Sequence, residues 1–276
     1  MANVNYGKYR IPPTLIHIIS LQNQLEQQGM LPYGDLLGFY FEVADLDSRY
    51  LNTPLDLISF ARPGMDGIHY GFLTDFGGVG DLEDAYIVRV SPMDFEDPVK
   101  IVARNLHDFL RILCFTPNSL DILDITTSEA QFKHDTDLFS TKNDDEDQKR
   151  VREILQKEFS LEPIENLYDY LQQVKQERLN ENVLATEDGI GVAVRSTAHE
   201  SYVGEERYPL NPQEDLNTAD VRRFFERASY PMKLAFLREV QSKGLIFDQP
   251  ELKNYLKQQL QLMKLADEAV RIDFPE

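Results

Sequence analysis

LDLISFARPGMDGIHYGFLTDFGGVG, from Leu55 to Gly80, sets short apolar runs between turn-forming residues, and the same rhythm continues through AYIVRV at Ala85–Val90 and VKIVA at Val99–Ala103. The runs are rich in Ile, Val, Phe and Tyr, which fit a pleated, packed surface. Between them stand Pro63-Gly64, Asp66-Gly67, Gly77-Gly78 and Ser91-Pro92, residues that favour turns and loops. The spacing predicts strands over Leu55–Ala61, Gly67–Thr74, Ala85–Val90 and Val99–Ala103. Their connections are too short for helical crossovers, so the sheet is expected to be antiparallel.

Helices flank this block. Asn105 is a good N-cap, and Leu106, Phe109, Leu110 and Leu113 follow at i, i+3, i+4 and i+7, predicting a helix that packs on the sheet. Leu15, Ile18, Ile19 and Leu25 give an amphipathic helix over Thr14–Gln28, with Gly29 as its stop. The run Asp144, Asp145, Glu146, Asp147 either closes a polar linker that starts at Ser128 or forms the acidic first turn of a helix carrying Val151, Ile154, Leu155 and Phe159. Both readings put a boundary near 140. Beyond it, apolar stripes at Ile164, Leu167, Leu171 and Val174, at Val221, Phe224, Phe225 and Ala228, and at Leu252, Tyr255, Leu256 and Met263 read as helix core faces. Asp188-Gly189, within Val183–Val194, signals a short hairpin. The expected class is α+β, with an antiparallel-rich sheet flanked by helices in 1–140 and a mostly helical region in 141–276.

The charge balance narrows the function classes. Against 28 Lys+Arg stand 47 Asp+Glu, a formal net charge of −19. Such a surface repels nucleic-acid phosphates and anionic membranes, so neither is an expected partner; the acidity serves solubility or attracts a basic protein. No run of apolar residues suits a membrane span, and Met1–Arg10 lacks the pattern of a secretion signal. The single cysteine, Cys114, precludes an intrachain disulfide, and a cytoplasmic setting is expected. Lying between Leu113 and Phe115, it reads as a buried structural thiol.

Motifs that carry chemistry are sparse in this sequence. Gly77-Gly78-Val79-Gly80 leads into Asp81, Leu82, Glu83 and Asp84 without a lysine, and those acids would repel a phosphate. Asp75-Phe76-Gly77 imitates the magnesium-binding triplet of protein kinases, yet no catalytic-loop or strand-lysine motif accompanies it. His199-Glu200 is followed by Ser201, Tyr202 and Val203, so the second histidine of a zinc helix is missing. Asp45 with Asp47, and Asp94 with Glu96 and Asp97, lack the spacing of a calcium loop and read as solvated acidic surface. No cofactor or metal is expected. A site assembled from distant residues would draw on Asp66, His69 and Asp75, although a packed or hydrogen-bonded His69 is the plainer reading.

The run TPLDLISFARPGMDGIHYGFLTDFG (Thr53–Gly77), then DAYIVRVSP and VKIVARNLHDFLRIL, resembles the SUKH superfamily of fungal cell-wall regulators and bacterial relatives. Phe60-Ala61, Asp66-Gly67 and Asn105–Leu110 occupy the places of that family's strand end, Gly/Asp turn and phenylalanine-bearing helix. The resemblance covers about 30–115. It departs where relatives carry an LPxxYxxFL helix, since Leu31-Pro32-Tyr33-Gly34-Asp35-Leu36-Leu37-Gly38-Phe39 stands here. The resemblance implies an α+β fold and a non-enzymatic binding role, many bacterial relatives being immunity proteins that neutralise toxins. Between Asp35 and Asp97 the chain carries thirteen acidic residues against Arg49, Arg62 and Arg89. Asp66, Asp75, Asp81, Glu83 and Asp84, in the connections around one strand, are the candidate contacts with a basic protein. An intracellular scaffold with the same fold is the alternative.

Overall fold

In the computed structural model the residues described are 4–94, 97–116, 128–138, 144–193, 207–211 and 214–274. Glu96 and His199–Val203 lie outside them. The sheet is an antiparallel meander of five strands in sequence order: β1 (Tyr40–Phe41), β2 (Leu57–Arg62), β3 (His69–Leu73), β4 (Ile87–Val90) and β5 (Val99–Ala103). The four expected strands are all present, and β1 is an addition too short to show a pattern. A bulge between Ser59 and Ala61 shifts the β2–β3 register.

One face of the sheet carries an aromatic core. Phe60 and Phe72 stack with ring centroids 4.4 Å apart, and Phe109 meets Phe39 and Phe60 edge-on, an arrangement that suits the ring quadrupoles. Phe109 belongs to α2 (Leu106–Phe115), whose first turn is capped by Asn105 accepting from the Asp108 amide. α1 (Pro13–Gln27) adds Leu15, Ile18, Leu21 and Leu25 to the same core. It ends as expected at Gly29, at φ +75°, where the Met30 amide reaches back to the Leu25 carbonyl and the Gly29 amide to Glu26, closing the orphan carbonyls. The segment 31–39 forms tight turns, with Leu36 bridging to Phe39.

α3 (Glu129–Leu138) precedes α4 (Glu146–Glu158). The acidic run begins α4: Asp145 and Gln148 form a reciprocal capping box, with Glu146 and Asp147 in the first turn, where the helix dipole favours negative charge. α5 (Leu167–Glu181) lies near β5, its Glu177 forming a two-pronged pair with Arg104 at 2.6 and 2.8 Å. Val151, Leu155, Tyr170 and Val174 join the same apolar cluster as the sheet. The hydrophobic core therefore continues across residue 140.

The sheet's other face is covered from the C-terminal side. Ile190 packs with Leu57, Leu73, Val88, Val90 and Val99. It belongs to an arm in which Leu184 bridges Val192, a wider loop than the two-residue hairpin that Asp188-Gly189 suggests. Asp188 faces inward rather than serving an exposed turn: it is buried, and its carboxylate accepts from Thr186 Oγ1 and the Ile190 amide. α6 (Thr218–Arg227), α7 (Tyr230–Ser242), α8 (Pro250–Leu262) and α9 (Ala266–Arg271) build a second apolar cluster that takes in Leu55 and Phe76 from the ends of β2 and β3.

Buried charge joins these layers. Arg238 of α7 contacts Asp56 at 2.5 Å, with both side chains fully buried, and lies 3.9 Å from Asp75 and 3.7 Å from Asp188. Arg178 of α5 grips Asp75 through two hydrogen bonds of 2.6 and 2.9 Å and donates to the carbonyls of Ile190 and Gly191. Arg271 of α9 donates to the carbonyls of Asn5 and Leu55. Removing one partner strands buried charge, a loss of about 3–5 kcal/mol. Arg238→Met should therefore cost about 3–5 kcal/mol in urea denaturation, whereas Arg222→Met, at an exposed pair with Glu251, should cost no more than about 1 kcal/mol.

Candidate functional site

The five acids expected to meet a partner are divided by the strand between them. Asp66 sits in the β2–β3 turn, while Asp75, Asp81, Glu83 and Asp84 follow β3 at its opposite end. Five residues at about 3.4 Å each separate the two sets by roughly 15 Å, so they form no single surface. Asp75 is 8% exposed and committed to Arg178. It is an internal counter-ion, and its assignment as a partner contact is corrected accordingly. Asp75, Phe76 and Gly77 all have positive φ, 49°, 50° and 83°, a strained backbone for the first two. That turn aims Asp75 inward and sets the Phe76 ring beneath Arg238, 5.2 Å from its guanidinium carbon.

Glu83 is also structural. Its carboxylate accepts from the Thr14 amide at 2.9 Å, serving the start of α1, where Pro12 offers no side-chain cap. Asp81 caps its own short turn by accepting from the Glu83 amide. Only Asp66 and Asp84 combine exposure with freedom from such duties. Glu83→Ala should cost about 1 kcal/mol through the lost cap, and Asp84→Ala should stay within about 0.5 kcal/mol; thermal melts of the two variants compare them directly.

Asp66 borders a groove of about 570 Å³ at the turn end of β2 and β3, within the roughly 300–1,000 Å³ of typical ligand clefts. The sheet supplies Ser59 and His69, the segment after β1 supplies Glu42, Asp45 and Asp47, and the β2–β3 turn supplies Met65, Asp66 and Gly67. Tyr50 covers His69, with the two rings stacked at 5.7 Å. Tyr50 is 44% exposed and Met65 55%, so the rim offers an aromatic and a flexible apolar side chain among acids. Arg62 is the groove's one cationic lining residue, and it is engaged at 3.0 Å by Glu42. Ser59 is 3% exposed, and its Oγ has no protein hydrogen-bond partner.

His69 is held as a neutral ring. The Tyr50 amide donates to Thr53 Oγ1 at 2.9 Å, Thr53 Oγ1 lies 3.1 Å from His69 Nε2, and Nδ1 lies 2.8 Å from the Gly67 carbonyl. A carbonyl only accepts, so Nδ1 carries the proton and Nε2 accepts from the threonine hydroxyl. Burial lowers the His69 pKa to about 4. Both nitrogens are thus occupied, and Asp75 lies beyond the other end of β3, so Asp66, His69 and Asp75 are not assembled into a catalytic group.

Elsewhere, Cys114 is buried, and its burial raises the thiol pKa to about 11, which disfavours the nucleophilic thiolate. Arg152 of α4 donates to the carbonyls of Leu113 and Cys114, fastening the end of α2. Among the described residues, no group of three or more His, Cys, Asp or Glu side chains is placed to hold a metal ion, and no helix is long and apolar enough to cross a membrane. The sequence pattern missed the groove because it depends on the bulge in β2 and on the packing of residues 42–50 beside it. No protein-family model matches the chain, and no curated protein matches it.

The neutral histidine carries a pH dependence with a defined sign. Its folded pKa, about 4, lies below the ordinary value of 6.5, so between those limits the unfolded chain binds the proton and the folded chain does not. Stability from this residue is complete above pH 6.5 and is lost progressively as pH falls toward 4, by about 3 kcal/mol in total. From pH 7 to pH 5 the native protein should lose about 2 kcal/mol more than a His69→Asn variant, measured by urea titration at each pH.

Proposed function

We propose that this chain is a non-enzymatic, acidic protein-binding module of the immunity type, which neutralises a basic toxin by direct contact at the β2–β3 groove. The observation that carries this reading is the groove itself: Tyr50 and Met65 stand exposed among Asp45, Asp47 and Asp66. Aromatic and flexible apolar anchors supply contact area, while a field of one sign steers an oppositely charged partner and rejects like-charged ones. The net charge of −19 reinforces that steering over the whole surface. The SUKH resemblance supports the immunity form of the reading. A cytoplasmic encounter suits a chain with one buried cysteine.

A scaffold or regulatory protein would use the same surface without a toxin. Gene context separates the two, because a neighbouring toxin gene belongs only to the first. The enzyme reading has less support, since Asp66 and His69 line the groove while Asp75 lies beyond the other end of β3, paired with Arg178.

Pull-down from the native organism with mass spectrometry recovers the partner, whose association rate is then followed against salt. Exposed charges are screened over about 8 Å at physiological ionic strength. Association should slow with rising salt, and Asp47→Lys with Asp66→Asn, which keeps a residue suited to the φ of +50° at position 66, should slow it about tenfold at unchanged thermal stability. Reversing Asp81 and Asp84 at the far end should have little effect on the rate. Salt-insensitive association, or an equal response to both pairs of substitutions, would move the interface away from the groove.

A further inference from the structure

We infer that the groove is a socket for an arginine side chain projected by the partner, with the guanidinium lying against Tyr50 between Asp47 and Asp66 and donating to Ser59 Oγ. This rests on the protein-binding reading and adds the chemistry of the group received.

The chain repeatedly builds such sites for its own arginines. Arg62 lies over Tyr40, 5.8 Å from the ring centre, and pairs with Glu42. Arg104 lies over Tyr170 at 4.8 Å and pairs with Glu177. Arg222 lies over Tyr255 at 5.1 Å and meets Glu251. In each, a flat cation lies over a ring with a carboxylate beside it, hydrogen-bonded for Arg62 and Arg104 and at 3.6 Å for Arg222, a combination that suits guanidinium better than the compact ammonium of lysine.

Tyr50 has the ring and the acids without the arginine. No cation lies over it, and Asp47 and Asp66 have no ion pair or hydrogen bond through their side chains among the described residues. The ring is fixed in place: it stacks on His69, and a Cβ at Gly67 would fall 2.6 Å from its Cζ. The imidazole beneath is neutral at physiological pH, so it adds no repulsion to an arriving cation. Independent of the acids, Ser59 offers a buried hydroxyl in the groove lining with no protein partner. An oxygen so placed is costly to leave unpaired, and an incoming N–H relieves that cost.

The test titrates isotopically labelled full-length protein with a blocked Gly-Gly-Arg-Gly-Gly peptide and with its lysine and citrulline counterparts, following the backbone amides. Citrulline keeps the shape of arginine and lacks its charge. The arginine peptide should produce saturable shifts at Tyr50, Ser59, Gly67 and His69, with binding about fivefold weaker for lysine and absent for citrulline. Asp47→Asn with Asp66→Asn should weaken arginine binding about tenfold at unchanged thermal stability. Ser59→Ala should weaken it about threefold without lowering the melting temperature. Shifts confined to other surfaces, citrulline or lysine binding equal to arginine, or indifference to the Asp47/Asp66 double variant would each overturn the socket. The two readings fail separately. A recovered protein partner whose association is slowed by charge changes at Asp47 and Asp66, yet whose affinity is unchanged when its own arginines become lysine, removes the socket alone, whereas specific arginine binding with no protein partner keeps the socket and removes the proposed function.

Discussion

Arg238 is the constraint around which the two sides of the molecule are organised. It enters from α7 and reaches Asp56 before β2, the turn after β3 and the arm carrying Asp188. Arg178 completes the arrangement from α5, so the buried group contains three carboxylates and two guanidinium groups. Each charge is removed from water, and the favourable interactions depend on all five side chains keeping their places. A continuous apolar seam would tolerate sliding; this one fixes the lateral position of the C-terminal helices over the sheet. The same ion group holds the left-handed turn at Asp75-Phe76-Gly77, whose backbone cost of order 1–3 kcal/mol per strained residue is offset by the contacts it creates.

Much of the sheet was legible in the sequence because its signals are local. Turn residues stand between the strands, and Asn105 announces α2 with the apolar spacing behind it. The acidic run at 144–147 likewise resolves through neighbouring residues into the capped start of α4. The strands read as continuous apolar runs rather than clean alternations because both sheet faces are covered, by the aromatic core on one side and by the Ile190 arm on the other. α7 was hidden for a related reason. It is buried nearly all round, from Pro231 through Gln241, and a helix without a solvated face shows no stripe. Its local signs, Pro231 near the start and Gly244 beyond the end, mark boundaries without revealing the packing.

The ion group and the candidate site are products of distant contacts. Asp75 follows a strand and precedes a glycine pair, a context that suggests solvent, and only the fold brings Arg178 to it from 103 residues away. Glu83 similarly resembles a surface acid until α1 places the Thr14 amide beside it. The groove requires a bulge in β2, the segment after β1 and the ring of Tyr50 together. Turn-forming residues placed Asp66-Gly67 in a turn, as the fold shows, while the residues that surround it in the groove come from elsewhere in the chain.

The separation between Asp56 and Arg238 also has a consequence during synthesis. Their side chains meet across 182 residues, and ribosomes add about 5–20 residues per second. Asp56 is therefore made roughly 10–35 s before its counter-ion. Over that interval the meander and α2 can assemble the aromatic core, but the opposite face, with Leu57, Leu73 and Val88, gains its cover only once Ile190 has been made, and Asp56 waits longer still for Arg238. The nascent chain must pass through a half-covered sheet whose exposed side is both apolar and charged. The net charge of −19 favours mutual repulsion between such chains during that interval.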